Sequence, residues 1–174
     1  EGVKKIEAAV AARKDPDLVI VARTDAAGVI GIEEAIRRAN LYADAGADVL
    51  FADALLSRED ILRFAKGVKK PVSVNMGFGI RSRPTTPLIP ARELESMGVA
   101  MVTYPRLITS AAISGMKKAL EVLKESWETG RIIERPDLVI GFEELTDLMG
   151  LPEIFELEKR FLTEDALKGK YGRK

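Results

Sequence analysis

The sequence predicts an α/β fold on a parallel sheet, and three observations carry that reading. Short β-branched apolar runs recur at Leu18–Ala22, Val49–Phe51, Val72–Val74 and Val99–Val102. Each has little polar alternation, as in strands buried on both faces. Helical patterns fill the intervals, and regular β/α alternation builds a parallel sheet with right-handed crossovers. Two architectures fit, a doubly wound open sheet and a (β/α)8 barrel. A complete barrel takes about 250 residues. This chain has 174, so its four units amount to half a barrel.

The elements follow in order. Glu1–Arg13 reads as a helix, the crossover from a preceding strand in the barrel reading. In Ile32–Ala45, Ile32, Ala35, Ile36, Ala39 and Ala43 fall on one face, with Glu33, Glu34, Arg37, Arg38 and Asp44 opposite. Gly46 ends that helix. Ser57 caps a helix carrying Ile61, Leu62 and Ala65 and ending near Gly67. Ala91–Met97 is a short helix closed by Gly98, and Leu107–Trp127 is a long one with Ile108, Ala111, Ala112, Met116, Ala119 and Leu123 in register. Arg131–Ile140 reads as a connection. Phe142–Met149 and Pro152–Phe161 are further helices, with Pro152 where its missing N–H costs little. The basic tail Lys168–Lys174 is expected to fray. Residues 1–128 are thus expected to form the partial barrel, and 129–174 a helical extension.

Composition narrows the function. There are 27 basic and 27 acidic residues, for a net charge of zero, and 47 % of residues are apolar. That is an ordinary globular composition. It argues against disorder and against a nucleic-acid surface. No apolar stretch approaches the roughly 20 residues that span a bilayer. Neither a signal peptide nor a transit peptide is visible, so a cytoplasmic location is expected. Because the first residue is Glu1, the natural chain can begin upstream. The sequence has no cysteine and no histidine. Thiolate nucleophiles, imidazole bases and imidazole metal ligands are therefore excluded, and no metal ligand is assigned within the chain.

Ligands of parallel α/β folds bind beyond the carboxyl ends of the strands. Those ends read Arg23-Thr24-Asp25, Ala52-Asp53-Ala54, Asn75-Met76-Gly77 and Thr103-Tyr104-Pro105-Arg106, which would set a guanidinium, a carboxylate, an amide and a hydroxyl on one rim. Arg23 follows a buried run, and an unpaired buried charge is costly, so it must meet an anion. Its planar fork suits a substrate carboxylate or phosphate. The alternative is an internal pair with Asp25 or Asp53. Asp25 reads as an Asx cap into the next helix. Asp53 could orient substrate, hold a metal-bound water or pair with Arg23. Asn75 can both give and accept hydrogen bonds. The irregular stretch Met76–Pro90 is long enough to be a binding loop, with Arg81 and Arg83 as anion ligands or as a solvated basic loop. Trp127, Phe142, Phe155 and Phe161 read as packing, within the chain or on a partner.

The motifs Val21-Ala22-Arg23-Thr24-Asp25-Ala26, Glu34-Ala35-Ile36-Arg37-Arg38-Ala39, Tyr42–Phe51, Val74-Asn75-Met76 and Thr86-Pro87-Leu88, in that order, resemble the isocitrate lyase/phosphoenolpyruvate mutase family, its short members in particular. The likeness runs from about Val3 to about Leu123 and matches the family's C-terminal half. It implies strands five to eight of a (β/α)8 barrel, Mg²⁺ chemistry and small 2-oxo or hydroxy di- or tricarboxylate substrates. It implies a carbon–carbon lyase, a phosphonomutase or a decarboxylase, with bonds broken or formed next to an enolate of pyruvate type. It implies Arg23 and Asp53 as catalytic candidates, and Arg23, Asn75 and Thr86 as substrate ligands, beside Arg81 and Arg83. Asp53 stands where many members carry glutamate. The family's magnesium aspartates and its Lys-Lys-Cys-Gly-His segment belong to earlier strands, so Mg²⁺ ligands are expected upstream. The loop from Asn75 to Thr86 is longer than usual, and Gly77-Phe78 replaces a common glutamate. The resemblance also implies a homodimer or homotetramer formed through the C-terminal helices. A non-catalytic anion-binding or assembly half-barrel is the competing reading.

Overall fold

The computed structural model describes residues 1–79 and 85–172. The elements are α1 (Gly2–Ala12), β1 (Val21–Thr24), α2 (Ala26–Val29), α3 (Ile32–Asp44), β2 (Val49–Ala52), α4 (Arg58–Gly67), β3 (Val72–Asn75), α5 (Ala91–Ser96), β4 (Val99–Thr103), α6 (Leu107–Thr129), α7 (Phe142–Leu148), α8 (Leu151–Phe161) and α9 (Glu164–Tyr171). The chain divides into two compact units, Glu1–Thr109 and Ser110–Lys174.

The first unit carries a parallel sheet in the order β1-β2-β3-β4. Each strand pairs with the next in sequence, and the order never reverses. A doubly wound sheet would contain a reversal. The consecutive order is that of four successive units of a (β/α)8 barrel.

Register and the two-residue period sort the strand residues onto two faces. Ala22, Thr24, Leu50, Ala52, Val72 and Val74 share the first face, and all are buried. Helices α3 and α5 pack against the sheet and contribute Ala35, Ala39, Ala43 and Leu94 to this core, and α4 adds Ile61 and Phe64. The alanines of α3 let the helix come close to β1 and β2. Val21, Arg23, Val49, Phe51, Ser73, Asn75, Met101 and Thr103 share the second face. Val21 (45 %) and Met101 (39 %) are exposed there. The expectation of strands buried on both faces is therefore corrected. Among the four strands only β3 is closed in on both sides; the second face is open on β1 and β4 and half-open on the interior β2.

Local chemistry explains the boundaries. Just past the end of α3, Gly46 has a φ of 102°, a left-handed conformation that suits glycine, and Ala47 N–H closes back on Tyr42 O at 3.0 Å. Ser57 Oγ caps α4 by accepting from Asp60 N–H at 3.0 Å. The first strand starts at Val21, three residues after the apolar run begins. Before it, Asp48 accepts from Ile20 N–H (2.9 Å) and from Arg13 (2.6 Å), and Arg13 also donates to Leu18 O at 3.0 Å. Side chains there supplement the backbone, where Asp48 N–H donates to Ile20 O at 2.9 Å. The single-turn α2 was not anticipated. Nor was α9, which makes part of the tail expected to fray into helix, capped by Thr163 Oγ1 accepting from Ala166 N–H.

Candidate functional site

The carboxyl ends of β1, β2, β3 and β4 lie at one end of the sheet, and backbone hydrogen bonds carry the ladder past them. Asp53 N–H donates to Thr24 O and Met76 N–H to Thr103 O. Arg23, Asn75 and Thr103 project from the open face, and Asp53 extends β2 just beyond it.

Arg23 is the hub. Its Nε donates to Asp25 Oδ1 at 2.6 Å, and its Nη2 donates to Asp25 Oδ2 at 3.2 Å and to Asp53 Oδ2 at 2.8 Å. The guanidinium also lies over the Phe51 ring, 5.3 Å from its centroid. The hydrogen bond that Arg23 donates to Asp25 raises the Arg23 pKa above its ordinary value; desolvation opposes this, and the Asp53 charge adds to it. The side chain is 50 % exposed, so the expectation of a buried arginine is corrected. Val21 and Arg23 share the open face of β1, and both are exposed. Both pairings held open by the sequence occur together. The Nη1 group makes no hydrogen bond among the described residues.

Asp25 is corrected as well. It is the N-cap of α2 but makes no side-chain cap, because its carboxylate faces Arg23. Thr24 Oγ1 takes the neighbouring amide, accepting from Ala26 N–H at 3.3 Å.

Asp53 and Asn75 are brought together. Asn75 Nδ2 points at Asp53 Oδ1 at 3.5 Å, the long end of a hydrogen bond. Asn75 Oδ1 accepts from the Thr103 hydroxyl. One chain of polar contacts thus runs Asp25–Arg23–Asp53–Asn75–Thr103 across all four strands. Thr86 is buried in the loop that follows β3, and no side-chain hydrogen bond joins it to this chain among the described residues. Arg81 and Arg83 lie outside the described residues.

Two features were not read from the sequence. Ala54 and Arg106, just after β2 and β4, have positive φ (59° and 64°), which is strained for residues with a Cβ. No sequence signal marks such alanines. Phe78 and Tyr104 form an aromatic pair at 6.0 Å beside Asn75 and Thr103 in sequence. Two aromatics, each following a strand end, were the available clue.

Among the described residues no group of three His, Cys, Asp or Glu could hold a metal ion. Nor is any helix there long and apolar enough to cross a membrane.

A consecutive parallel β/α sheet with a guanidinium, a carboxylate and an amide at the strand ends defines a class of proteins that meet small anionic ligands above the sheet. Comparison with known proteins narrows the class. The chain belongs to the phosphoenolpyruvate phosphomutase family, whose model matches residues 1–124. It is 36 % identical over 163 residues to 2,3-dimethylmalate lyase of Eubacterium barkeri, covering 94 % of this chain and 54 % of that protein. It is 42 % identical over 149 residues to 2-methylisocitrate lyase of Aeropyrum pernix, covering 85 % of this chain and 45 % of that protein. A solved structure of oxaloacetate acetylhydrolase with the product oxalate has a similar fold. The TM-score is 0.75 at 27 % identity, over 91 % of this chain and 53 % of that one. The chain spans about half the length of the curated relatives it matches. The family resemblance drawn from the sequence is borne out.

Proposed function

We propose that this chain is the carboxylate-binding, C-terminal half of a (β/α)8-barrel lyase. Its substrates are small 2-oxo or hydroxy di- or tricarboxylates, cleaved at a carbon–carbon bond. The observation that carries this is the contact of Arg23, Asp53, Asn75 and Thr103 at one end of the sheet.

The chain's own residues act by binding and charge. Arg23 Nη1 and Asn75 Nδ2 are the donors for a substrate carboxylate. Asp53 holds the guanidinium from the side and is the carboxylate nearest the reacting groups. When the carbon–carbon bond of a hydroxy acid breaks, the hydroxyl gives up its proton and becomes the carbonyl of the released 2-oxo acid. The electron pair passes into the enolate-like carboxylate of the other fragment, which then takes up a proton; from a 2-oxo acid the pair passes into an enolate of pyruvate type. Arg23 offsets the negative charge at the carboxylate end of that fragment. Thr86, Arg81 and Arg83 are further ligands on the loop after β3.

The family resemblance implies Mg²⁺, whose chemistry is to polarise the oxygen of the developing enolate. The described residues do not fit a Mg²⁺ cage, since Arg23 engages both rim aspartates. On this reading the metal ligands belong to the part of the relatives' length that this chain does not span. The site works in the cytoplasm, in a homodimer or homotetramer assembled through residues 129–174. The exposed Phe142, Leu148, Met149 and Phe161 support that surface.

The test is an assay of the full gene product with Mg²⁺ against 2-methylisocitrate, 2,3-dimethylmalate, oxaloacetate and phosphonopyruvate. Release of a 2-oxo acid from one of the carbon–carbon substrates is expected. Oxalate binding without turnover of any substrate would favour a non-catalytic anion-binding module.

A further inference from the structure

Thr103 closes β4 directly opposite Asn75 in the β3–β4 register. Its hydroxyl donates to Asn75 Oδ1 and also lies 3.4 Å from Val74 O. A primary amide presents an acceptor at one end and two N–H donors at the other. Whichever end meets Thr103, the opposite end faces the rim. Here that end is Nδ2, 3.5 Å from Asp53 Oδ1. A flipped amide would set oxygen against a carboxylate oxygen, acceptor on acceptor, in a half-buried place.

Asp53 is informative in a second way. Its carboxylate sits on Arg23 Nη2 at 2.8 Å and faces Asn75 Nδ2. It already displays a carboxylate received by these two donor groups. The hydroxyl of Thr103 keeps one of them turned the right way.

We propose that Thr103 is a positioning residue for the carboxylate subsite. By giving its hydrogen to Asn75 Oδ1 it holds Nδ2 toward Asp53, so that together with Arg23 the rim offers N–H donors to a planar carboxylate. This rests on the carboxylate-binding reading above. Thr103 does not itself touch the ligand. A valine at this position keeps the shape and removes the hydroxyl, and a serine keeps the hydroxyl and removes the methyl.

The experiment uses the 174-residue chain, labelled for NMR, with oxalate as the probe. The Asn75 side-chain NH₂ signals are identified by their loss in Asn75→Ala. In the wild type and in Thr103→Ser, these protons should show stronger cross-relaxation to the Asp53 β-protons than to the residue-103 side chain. Both proteins should bind oxalate with similar affinity. Thr103→Val should weaken oxalate about three- to tenfold, the effect of one neutral hydrogen bond, and lose the Asp53 cross-peaks. Unchanged cross-peaks and affinity in Thr103→Val overturn the proposal, as does a Thr103→Ser that fails equally. Should the valine variant not fold, the wild-type spectrum still decides, since NH₂ cross-peaks stronger to the Thr103 side chain than to the Asp53 β-protons overturn the proposal. A wild type with the expected cross-peaks and no oxalate response leaves Asn75 positioned by Thr103 and removes the carboxylate reading instead.

Discussion

The two units of this chain differ in what their apolar residues meet. In Glu1–Thr109, Phe64, Leu50, Leu55 and Ile61 are fully buried between sheet and helices. In Ser110–Lys174, the described helices bury no residue, and Trp127 is 79 % and Ile132 91 % exposed. Both regions are rich in helix, and the helices arise from the same local patterns. Only the first has a sheet to press them against. Caps and short-range pairs, such as Thr163 on Ala166 and Lys159 with Glu156, act on the second. Such interactions contribute little compared with burial.

The sharpest way to break this contrast is a matched pair of truncations. Phe64→Ala should destabilise the chain by about 3 to 5 kcal/mol, read by urea denaturation. Trp127→Ala should stay within about 0.5 kcal/mol in dilute solution. Its effect should appear instead as weaker self-association at high concentration, read by sedimentation. Comparable losses of stability in both variants would mean that the second unit has a core of its own.

Next comes the open face of the first unit. Arg23→Lys should leave the melting curve unchanged while weakening oxalate binding about ten- to a hundredfold, because an ammonium cannot copy the guanidinium fork. A lowered melting temperature with unchanged binding, reproduced by Asp53→Asn, would make the pair purely structural.

A smaller effect is expected at Gly28 in α2. A Cβ added there would lie 2.9 Å from the Ala54 Cβ. Alanine normally favours a helix over glycine by about 0.5 to 1 kcal/mol, but overpacking costs about 1 to 3 kcal/mol. Gly28→Ala should therefore be net destabilising by denaturation. Adding Ala54→Gly should recover most of the loss, and strict additivity would show that the two positions do not meet.

The smallest effect is a pH dependence at the base of β1. The Ile20 N–H, followed by the charge of Arg13, holds the Asp48 carboxyl below its ordinary value against desolvation. A depressed carboxylate stabilises fully above its unfolded value near ~3.9. That contribution fades as pH falls through the lower folded value. Stability measured from pH 6 down to pH 2 should fall less steeply in Asp48→Asn over this acid window. Parallel curves would remove Asp48 from the acid response.

Much of this was legible in the sequence. The four apolar runs located all four strands, because β-branched residues with no polar period suit a sheet backed by helices. Ser57, Gly46 and Gly98 marked helix ends through chemistry that is local. Arg23, Asp53 and Asn75 could be assigned to one rim because strand ends in parallel sheets share a side. What stayed hidden depends on contacts distant in sequence or on backbone shape. The exposure of Arg23 follows from the openness of the sheet's second face, which depends on what packs there and not on local sequence. Asp25 turned from its cap to the guanidinium because an ion pair with Arg23 was within reach. The helical turn of α2 is too short to show a period.

Ala54 carries a side chain in a left-handed turn just after Asp53, and Gly28, packed against it, carries none. The two positions share room for a single Cβ, and this constrains how the sequence can drift. A lineage that first replaces Gly28 passes through a clashing intermediate. One that first replaces Ala54 by glycine relaxes the turn and opens the space, after which Gly28 is free to change. The second route is the accessible one, so alanine at position 28 should be found only in descendants that have already lost the side chain at 54.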